Sequence, residues 1–276
     1  MEVERFDEAA AFRSQALPYL LENEAVNNLI LGVSRTATGD TAYHEDFRGY
    51  VVRHHGRPVA AAVQTPPYNL ILSAAETPEA VGALAGTVGS LPGVIGVTPW
   101  VDHFVAARPE KARRTMRQGV FALAEVVAVR PGVGDSRPAS PSERDLLIAW
   151  QIAFQEEAIG ESTPETAERI IDHRLEGPAD SFGLWVHEVD GTVVSMSGHT
   201  GPTAHGIRIG PVYTPPEHRG NGYASRLVAA ESQWLLDGGR RFCFLYTDLS
   251  NLTSNSIYRR IGYRQVAESA EYSFLS

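Results

Sequence analysis

Val212-Tyr213-Thr214-Pro215-Pro216-Glu217-His218-Arg219-Gly220-Asn221-Gly222-Tyr223-Ala224-Ser225 runs from an apolar, strand-like segment through two prolines into Arg-Gly-x-Gly-x-Ala, and a long helix-forming run follows. Glycines at 220 and 222 remove Cβ atoms where backbone must approach a ligand closely. A helix start carries unsatisfied N–H groups and the positive end of the helix dipole, so a phosphate sits well there. Arg219 adds a fixed positive charge at the mouth of that nest. The stretch reads as a pyrophosphate cradle.

Two familiar cradles do not fit. A phosphate loop of the Gly-Lys-Ser/Thr kind is absent, and the dinucleotide fingerprint needs a third glycine or alanine where this chain has Ser225. After the helix (Tyr223 to Asp237, stopped by Gly238-Gly239) comes an apolar, aromatic-rich run, Arg241 to Thr247, suited to a buried strand. Asn251 to Tyr263 then reads as a second helix, with Asn251, Asn255 and Tyr258 at i, i+4 and i+7 on one face. Gly262 is placed to end it in the left-handed conformation.

Arg219, Gly222 and Ala224, as Arg-x-x-Gly-x-Ala, followed by the Asn251–Asn255–Tyr258 helix, resemble the two signatures of the GCN5-related N-acetyltransferases (GNAT). The motifs cover residues 184 to 263, and the family fold extends the likeness to 136–276. The resemblance implies an α/β fold of the α+β kind, a mixed, mainly antiparallel sheet flanked by helices. Its two central strands, here Ile207–Thr214 and Arg241–Thr247, would splay apart, and the acyl-donor arm would bond there as though adding a strand. It further implies acetyl-CoA as cosubstrate, bound by Val212, Tyr213 and Thr214 at the acyl end. Arg219, Gly220, Asn221, Gly222, Tyr223, Ala224 and Ser225 would lie at the pyrophosphate, with Asn251 and Asn255 along the arm. Tyr258 would be the catalytic acid that protonates the departing thiolate. A phenol with a pKa near 10 is protonated at neutral pH and suits that task. Gly220 and Asn221 depart from the basic residues that relatives often carry, which shifts the phosphate grip to backbone N–H groups and Arg219.

The general base is not readable. Glu156 and Glu157 end a helix where relatives line the acceptor pocket, and His199 and His205 flank the central strand, but each has an ordinary structural or solvated reading. No His, Cys and acidic residues stand at metal-ligand spacing, so no metal is expected.

Spacing also points to a duplication. Gly56 and Gly191 stand 135 positions apart, as do Asp7 and Ser142. Each glycine sits between strand-like runs, Tyr50 to Val63 and Leu184 to Val194, the second turning on Asp-Gly. Ser140-Pro141-Ser142-Glu143 reads as a capping box, opening a helix through Leu146, Leu147, Trp150, Ala153 and Phe154, and a further helix spans Pro164 to Leu175. The first half shows an Ala-rich helix, Glu8 to Leu21, a strand, Asn69 to Ser73, and a helix, Pro78 to Gly89. Only Ala74-Ala75-Glu76-Thr77 lies before Pro78, so the first half lacks the cradle. These features predict two GNAT-like halves, a degenerate one at 1–130 and the acetyltransferase domain at 136–276, linked across Arg130 to Pro138. An unrelated α/β domain before one acetyltransferase domain is the alternative.

The 276 residues suit two domains of ordinary size, with 43% hydrophobic and 21% charged residues. The net charge of −9, from 33 acidic and 24 basic residues, argues against nucleic acid or an acidic membrane surface as partner. No run approaches a membrane span. Met1 to Arg5 lacks the basic and apolar regions of a signal peptide. The single cysteine, Cys243, fits a reducing cytoplasm and sits in an apolar strand as an inert core thiol. The expectation is a cytoplasmic N-acetyltransferase acting on a small-molecule amine, with homodimerisation left open. A non-catalytic acyl-CoA-binding or sensory protein, or a protein N-acetyltransferase, are the alternatives.

Overall fold

Two hairpins, 135 positions apart, turn on the same backbone conformation. His55 and Gly56 have φ of 50° and 79°, and Asp190 and Gly191 have φ of 50° and 77°. Two successive residues at positive φ define the tight turn whose twist matches paired strands. Each hairpin also carries one register shift, at Val52/Arg53 and at His187/Glu188, again 135 positions apart.

The computed structural model describes residues 1–38, 46–158, 160 and 163–275. Its first half contains β1 (Glu2–Phe6), α1 (Ala9–Leu21), α2 (Asn28–Thr36), β2 (Arg48–His54), β3 (Arg57–Gln64), β4 (Leu70–Leu72), α3 (Pro78–Thr87), β5 (Gly93–Val97), α4 (Trp100–Ala106) and β6 (Ala112–Leu123). The second repeats that order of types: β7 (Asp135–Pro138), α5 (Arg144–Ala158), α6 (Pro164–Glu176), β8 (Gly183–Val189), β9 (Thr192–Thr200), β10 (Gly206–Tyr213), α7 (Tyr223–Asp237), β11 (Phe242–Asp248), α8 (Leu252–Ile261) and β12 (Arg264–Phe274).

All the strands join one sheet in the order β1-β2-β3-β4-β5-β12-β6-β11-β10-β9-β8-β7. Only β4 with β5 and β10 with β11 pair in parallel. The centre is an exchange. β6 of the first half pairs with β11 of the second, while β12 of the second pairs with β5 of the first, and β6 and β12 pair with each other. Ala270 of β12 thereby enters the first half's core with Leu70, Val94 and Phe104. Phe121 and Leu123 of β6 enter the second half's core with Val228, Cys243 and Ile261. Each such buried side chain contributes roughly 1.5–3 kcal/mol by removal from water. Two further clusters, under α1 and α2 and under α5 and α6, fill the other face of the sheet.

The predicted capping box is present: Ser140 Oγ accepts from Ser142 N, and Glu143 accepts from Ser140 N at 2.7 Å. A short 3-10 turn, Pro141–Glu143, precedes α5. The expected linker over 130–138 needs correction. Its last residues form β7, which pairs with β8, and Pro138 is tolerated because β7 is the outermost strand and needs no donor on its free side.

Candidate functional site

β10 and β11 are in parallel register only over Gly206↔Phe242, Ile207↔Cys243 and Arg208↔Phe244. Beyond that point β10 turns away. Its register with β9 shifts between Ile209 and Val212, around Gly210 at φ 144°. A bulge of this kind bends a strand and re-aims its side chains. Val212 and Tyr213 then pair only toward β9, and Leu245 to Asp248 only toward β6. The edges that face each other across the gap hold main-chain groups not bonded to one another, a template for an extended ligand.

The gap leads to the turn between β10 and α7. A 3-10 turn over Pro216–His218 is followed by Gly220 at φ 82° and Gly222 at φ 76°. Gly222 is the N-cap of α7 and supplies no side-chain cap, so the first-turn N–H groups of Tyr223, Ala224 and Ser225 point outward without a partner from that cap. A Cβ on Gly220 would meet nothing within 4 Å. This is open space bounded by helix-terminal donors, the arrangement that suits an oxyanion or phosphate.

The first half has no such turn. Thr77 caps α3 by accepting from Ala80 N at 3.3 Å, and Pro78 removes another donor. Ser73 N, Ala74 N and Glu76 N are bonded to Ala61 O, Asn27 Oδ1 and Val59 O. Its turn spends its donors internally.

Side chains fix the second-half turn. Asn221 Nδ2 donates to His218 O at 3.1 Å and Arg219 O at 3.3 Å. Arg219 Nε donates to Thr214 O at 2.8 Å, while Nη2 lies 2.8 Å from both carboxylate oxygens of Glu157. Its guanidinium also stands 5.8 Å from the centre of the Tyr213 ring. Arg219 is therefore anchored between the strand end and α5 rather than extended over the glycines. A second cation, which the sequence reading missed, lies under the turn. Arg226 Nη2 donates to Asn221 O at 3.1 Å, its guanidinium rests 5.2 Å from the Tyr223 ring, and its Nε is buried without a partner. Its signal was its place one turn into α7, four residues after Gly222.

α8 brings two of its three singled-out residues inward. Tyr258 is buried in the cluster that contains Ile209, Val212 and Leu245, residues from both splayed strands. Its ring meets Tyr263 edge-on at 6.0 Å. Among the described residues its hydroxyl has no hydrogen-bond partner, and burial pushes the phenol up to about 12. Asn255 is buried too, with Nδ2 donating to Asp248 O at 3.0 Å and Leu249 O at 3.3 Å while Oδ1 has no partner. Asn251 is exposed at the helix start, where Oδ1 accepts from Ser254 N at 3.0 Å. Gly262 ends α8 at φ 112°.

The other polar residues near the strands have structural partners. His199 Nδ1 lies 2.9 Å from Glu231 and its Nε2 3.0 Å from Ala179 O, while Ser197 donates to the other Glu231 oxygen. His205 is held by Glu24 at 2.7 Å. Burial pushes the Cys243 thiol up to about 12, which makes it a poor nucleophile. Among the described residues no group of His, Cys, Asp or Glu is placed to hold a metal ion, and no helix is long and apolar enough to cross a membrane.

Residues 146–263 match the acetyltransferase (GNAT) family. No curated protein sequence matches the chain. Among solved structures, a Drosophila protein is similar at a TM-score of 0.68 and 12% identity, covering 99% of this chain and 98% of that one. An acetyltransferase of the GNAT family from Colwellia psychrerythraea is similar at 0.61 and 9% identity over 100% of both chains. A tandem GNAT protein from the clavulanic acid biosynthesis pathway is similar at 0.53 and 14% identity over 98% of both. At these identities the structural likenesses show the fold: GNAT-like, with a tandem member among its relatives.

Proposed function

We propose that this chain, which carries a GNAT acetyltransferase domain over residues 146–263, moves an acetyl group from acetyl-CoA to the amine of a small-molecule acceptor by direct transfer. The observation that carries the reading is the uncapped start of α7 behind two left-handed glycines at the mouth of the β10/β11 gap.

The residues present fit the cosubstrate. A Cβ at Gly222 would sit 3.1 Å from Arg226 Nη1, so the turn has no room for a side chain there. The N–H groups of Tyr223, Ala224 and Ser225 and the backbone of Gly220, Asn221 and Gly222 would hold the pyrophosphate, with Arg226 and Arg219 adding charge. The open edge of Val212 to Thr214 would bond the amides of the pantetheine arm, and the buried Oδ1 of Asn255 would offer an acceptor beside it. Bound acetyl-CoA would supply an activated thioester.

The chain's part is positioning, charge stabilisation and one proton. Main-chain N–H groups at the bent end of β10 would stabilise the carbonyl oxygen as charge develops on it. The acceptor's neutral amine would bond to the carbonyl carbon as the carbon–sulfur bond breaks, and the nitrogen would lose its proton to water. Tyr258 would donate its hydroxyl proton to the sulfur. With its pKa near 12, it stays protonated until that moment.

The division of labour between residues 1–130 and 136–276 belongs to the same proposal: the first half would bind no cosubstrate, because its turn has no donors to spare. The test is thiol release from acetyl-CoA over a panel of small amines, with calorimetric titration of coenzyme A. The expected outcome is turnover on at least one amine and one coenzyme A per chain. Binding without turnover on any amine would assign the chain to acyl-CoA sensing instead, and two equivalent sites would defeat the division of labour.

A further inference from the structure

α2 of the first half lies across the face of β10 opposite α7. Gly32 approaches Gly201 so closely that a Cβ there would stand 2.7 Å from Gly201 O. Arg35 Nη1 donates to Thr203 O at 2.9 Å, and Glu24 accepts from the Thr203 hydroxyl at 2.6 Å. These contacts make a seam between the halves, next to the point where β10 and β11 part.

Three polar side chains meet at that seam. Arg208 is the last β10 residue in register with β11. Its neighbours Ile207 and Ile209 belong to the apolar cluster under α7, so Arg208 projects to the other face. Tyr246 follows Phe244 by two on β11 and shares that face, while Cys243 and Leu245 point to the apolar cluster. Asn28, from the first turn of α2, donates through Nδ2 to Ala25 O at 2.7 Å and to the Tyr246 hydroxyl at 3.4 Å.

Two of these groups are left open. Arg208 Nη1 is buried without a hydrogen-bond partner, and among the described residues Arg208 forms no ion pair, although the chain has 33 acidic residues. Asn28 Oδ1 is likewise buried and unpartnered. Arg13, the other shielded arginine of α1 and α2, shows the ordinary solution by donating to Leu31 O and Ser34 Oγ. A guanidinium withdrawn from water with no counter-charge weakens the fold unless something bound repays it. Burial also holds the Tyr246 phenol up at about 12, so it presents a neutral hydroxyl and no rival anion. Beside the cluster, a cavity of about 410 Å³ is lined by Arg35, Thr36, His173, Glu176, Phe182 and Pro202, the neighbour of Gly201. That is within the size range of small-ligand sites.

Resting on the acetyl-transfer reading above, we propose that the acceptor is an amine that also bears a carboxylate, an amino-acid-like molecule. Arg208 takes its carboxylate, and Asn28 Oδ1 accepts an N–H of its amine at the seam between the halves. The planar fork of a guanidinium matches a carboxylate in two parallel hydrogen bonds. A neutral amine that donates to Asn28 keeps its lone pair for the thioester. The first half thus supplies a wall of the acceptor site, a task that needs no cosubstrate cradle of its own.

The test is calorimetry on the full chain saturated with coenzyme A, which binds without reacting. Matched sets are compared: an amino acid, its carboxamide and its decarboxylated amine. The amino acid of at least one set should bind about tenfold or more tightly than its two partners. Arg208→Gln should shrink that preference to within about twofold, leave coenzyme A affinity unchanged, and leave the thermal midpoint equal or higher, because it removes an unpaired buried charge. Equal binding of acid, amide and amine by the wild type overturns the proposal, and so does binding of no amino acid or a preference that survives Arg208→Gln. If that variant does not fold, the wild-type comparison and Arg208→Lys, which keeps the charge and loses the fork, decide. A carboxylate preference without thiol release would sink acetyl transfer and keep the acceptor site, whereas thiol release without the preference would sink this inference alone.

Discussion

Arg219 holds Glu157 through one terminal nitrogen, 2.8 Å from each carboxylate oxygen, and so ties the glycine turn to the end of α5. Both side chains are about half exposed. An exposed pair of this kind is worth roughly 0.2–1 kcal/mol, so it opens at small cost when a stronger anion arrives. Glu157→Gln should therefore tighten acetyl-CoA binding by up to about fivefold, through the released charge, and Arg219→Ala should weaken it about tenfold. Titration calorimetry at low and high salt checks both. Weaker binding in Glu157→Gln would mean that the pair itself shapes the nest.

Gly222→Val should weaken coenzyme A binding more than tenfold while the fold survives. At φ 76° a non-glycine residue is strained by about 1–2 kcal/mol, and its Cβ would crowd Arg226 from 3.1 Å. Affinity measured alongside circular dichroism separates the two effects. Wild-type affinity in a folded variant would remove the nest from the account.

Much of the site was legible because it is local. The paired glycines, the following helix and the Asn–x–x–x–Asn–x–x–Tyr spacing each lie within one element, and the bounds of α7 match the reading from residue types, Tyr223 to Asp237. The duplicated hairpins were legible through their common offset. The exchange of β6 and β12 was not. Ala112 to Arg117 is largely exposed and reads as a polar loop, and its partners lie more than a hundred residues away. Asn251 shares a helical face with Asn255 by spacing, yet it sits at the cap, where its side chain serves Ser254. Arg208 and Arg226 look like ordinary charged positions in a strand and a helix. Only the surrounding fold shows that atoms of both are buried and unpartnered.

The exchange makes a prediction of its own. Residues 136–276 expressed alone lack β6, so β11 loses its partner on one side and the core loses Phe121 and Leu123. An unpaired strand edge beside an opened core favours aggregation. The fragment should aggregate or fail to unfold cooperatively, and coexpression of residues 1–130 should rescue it as a complex. A monomeric, cooperatively folding fragment by size-exclusion chromatography and thermal melting would contradict the structural importance of the exchange.

Alkaline pH should destabilise the chain. Burial raises the ionisation of Tyr246, Tyr258 and Cys243 to about 12, and raises that of Tyr19 and Tyr263 as well. A raised pKa in the folded state means stability that is complete below the unfolded values, about 9 for the thiol and 10 for the phenols, and lost as pH climbs toward the folded ones. The thermal midpoint should be flat in this respect up to about pH 9 and fall between about pH 9 and 12. Phenolate absorbance should appear together with unfolding. Phenolate appearing in the native fold below pH 10 would show these hydroxyls to be solvated.

Tyr258→Phe is the most direct test of the account. The change keeps the ring and its contact with Tyr263 and deletes one hydroxyl that has no partner among the described residues, so stability and acetyl-CoA affinity should hold. If that hydroxyl protonates the leaving sulfur, turnover at saturating acetyl-CoA should fall on the order of 10²-fold. The account predicts that fall in kcat with binding unchanged, and wild-type turnover by the Phe variant would contradict it.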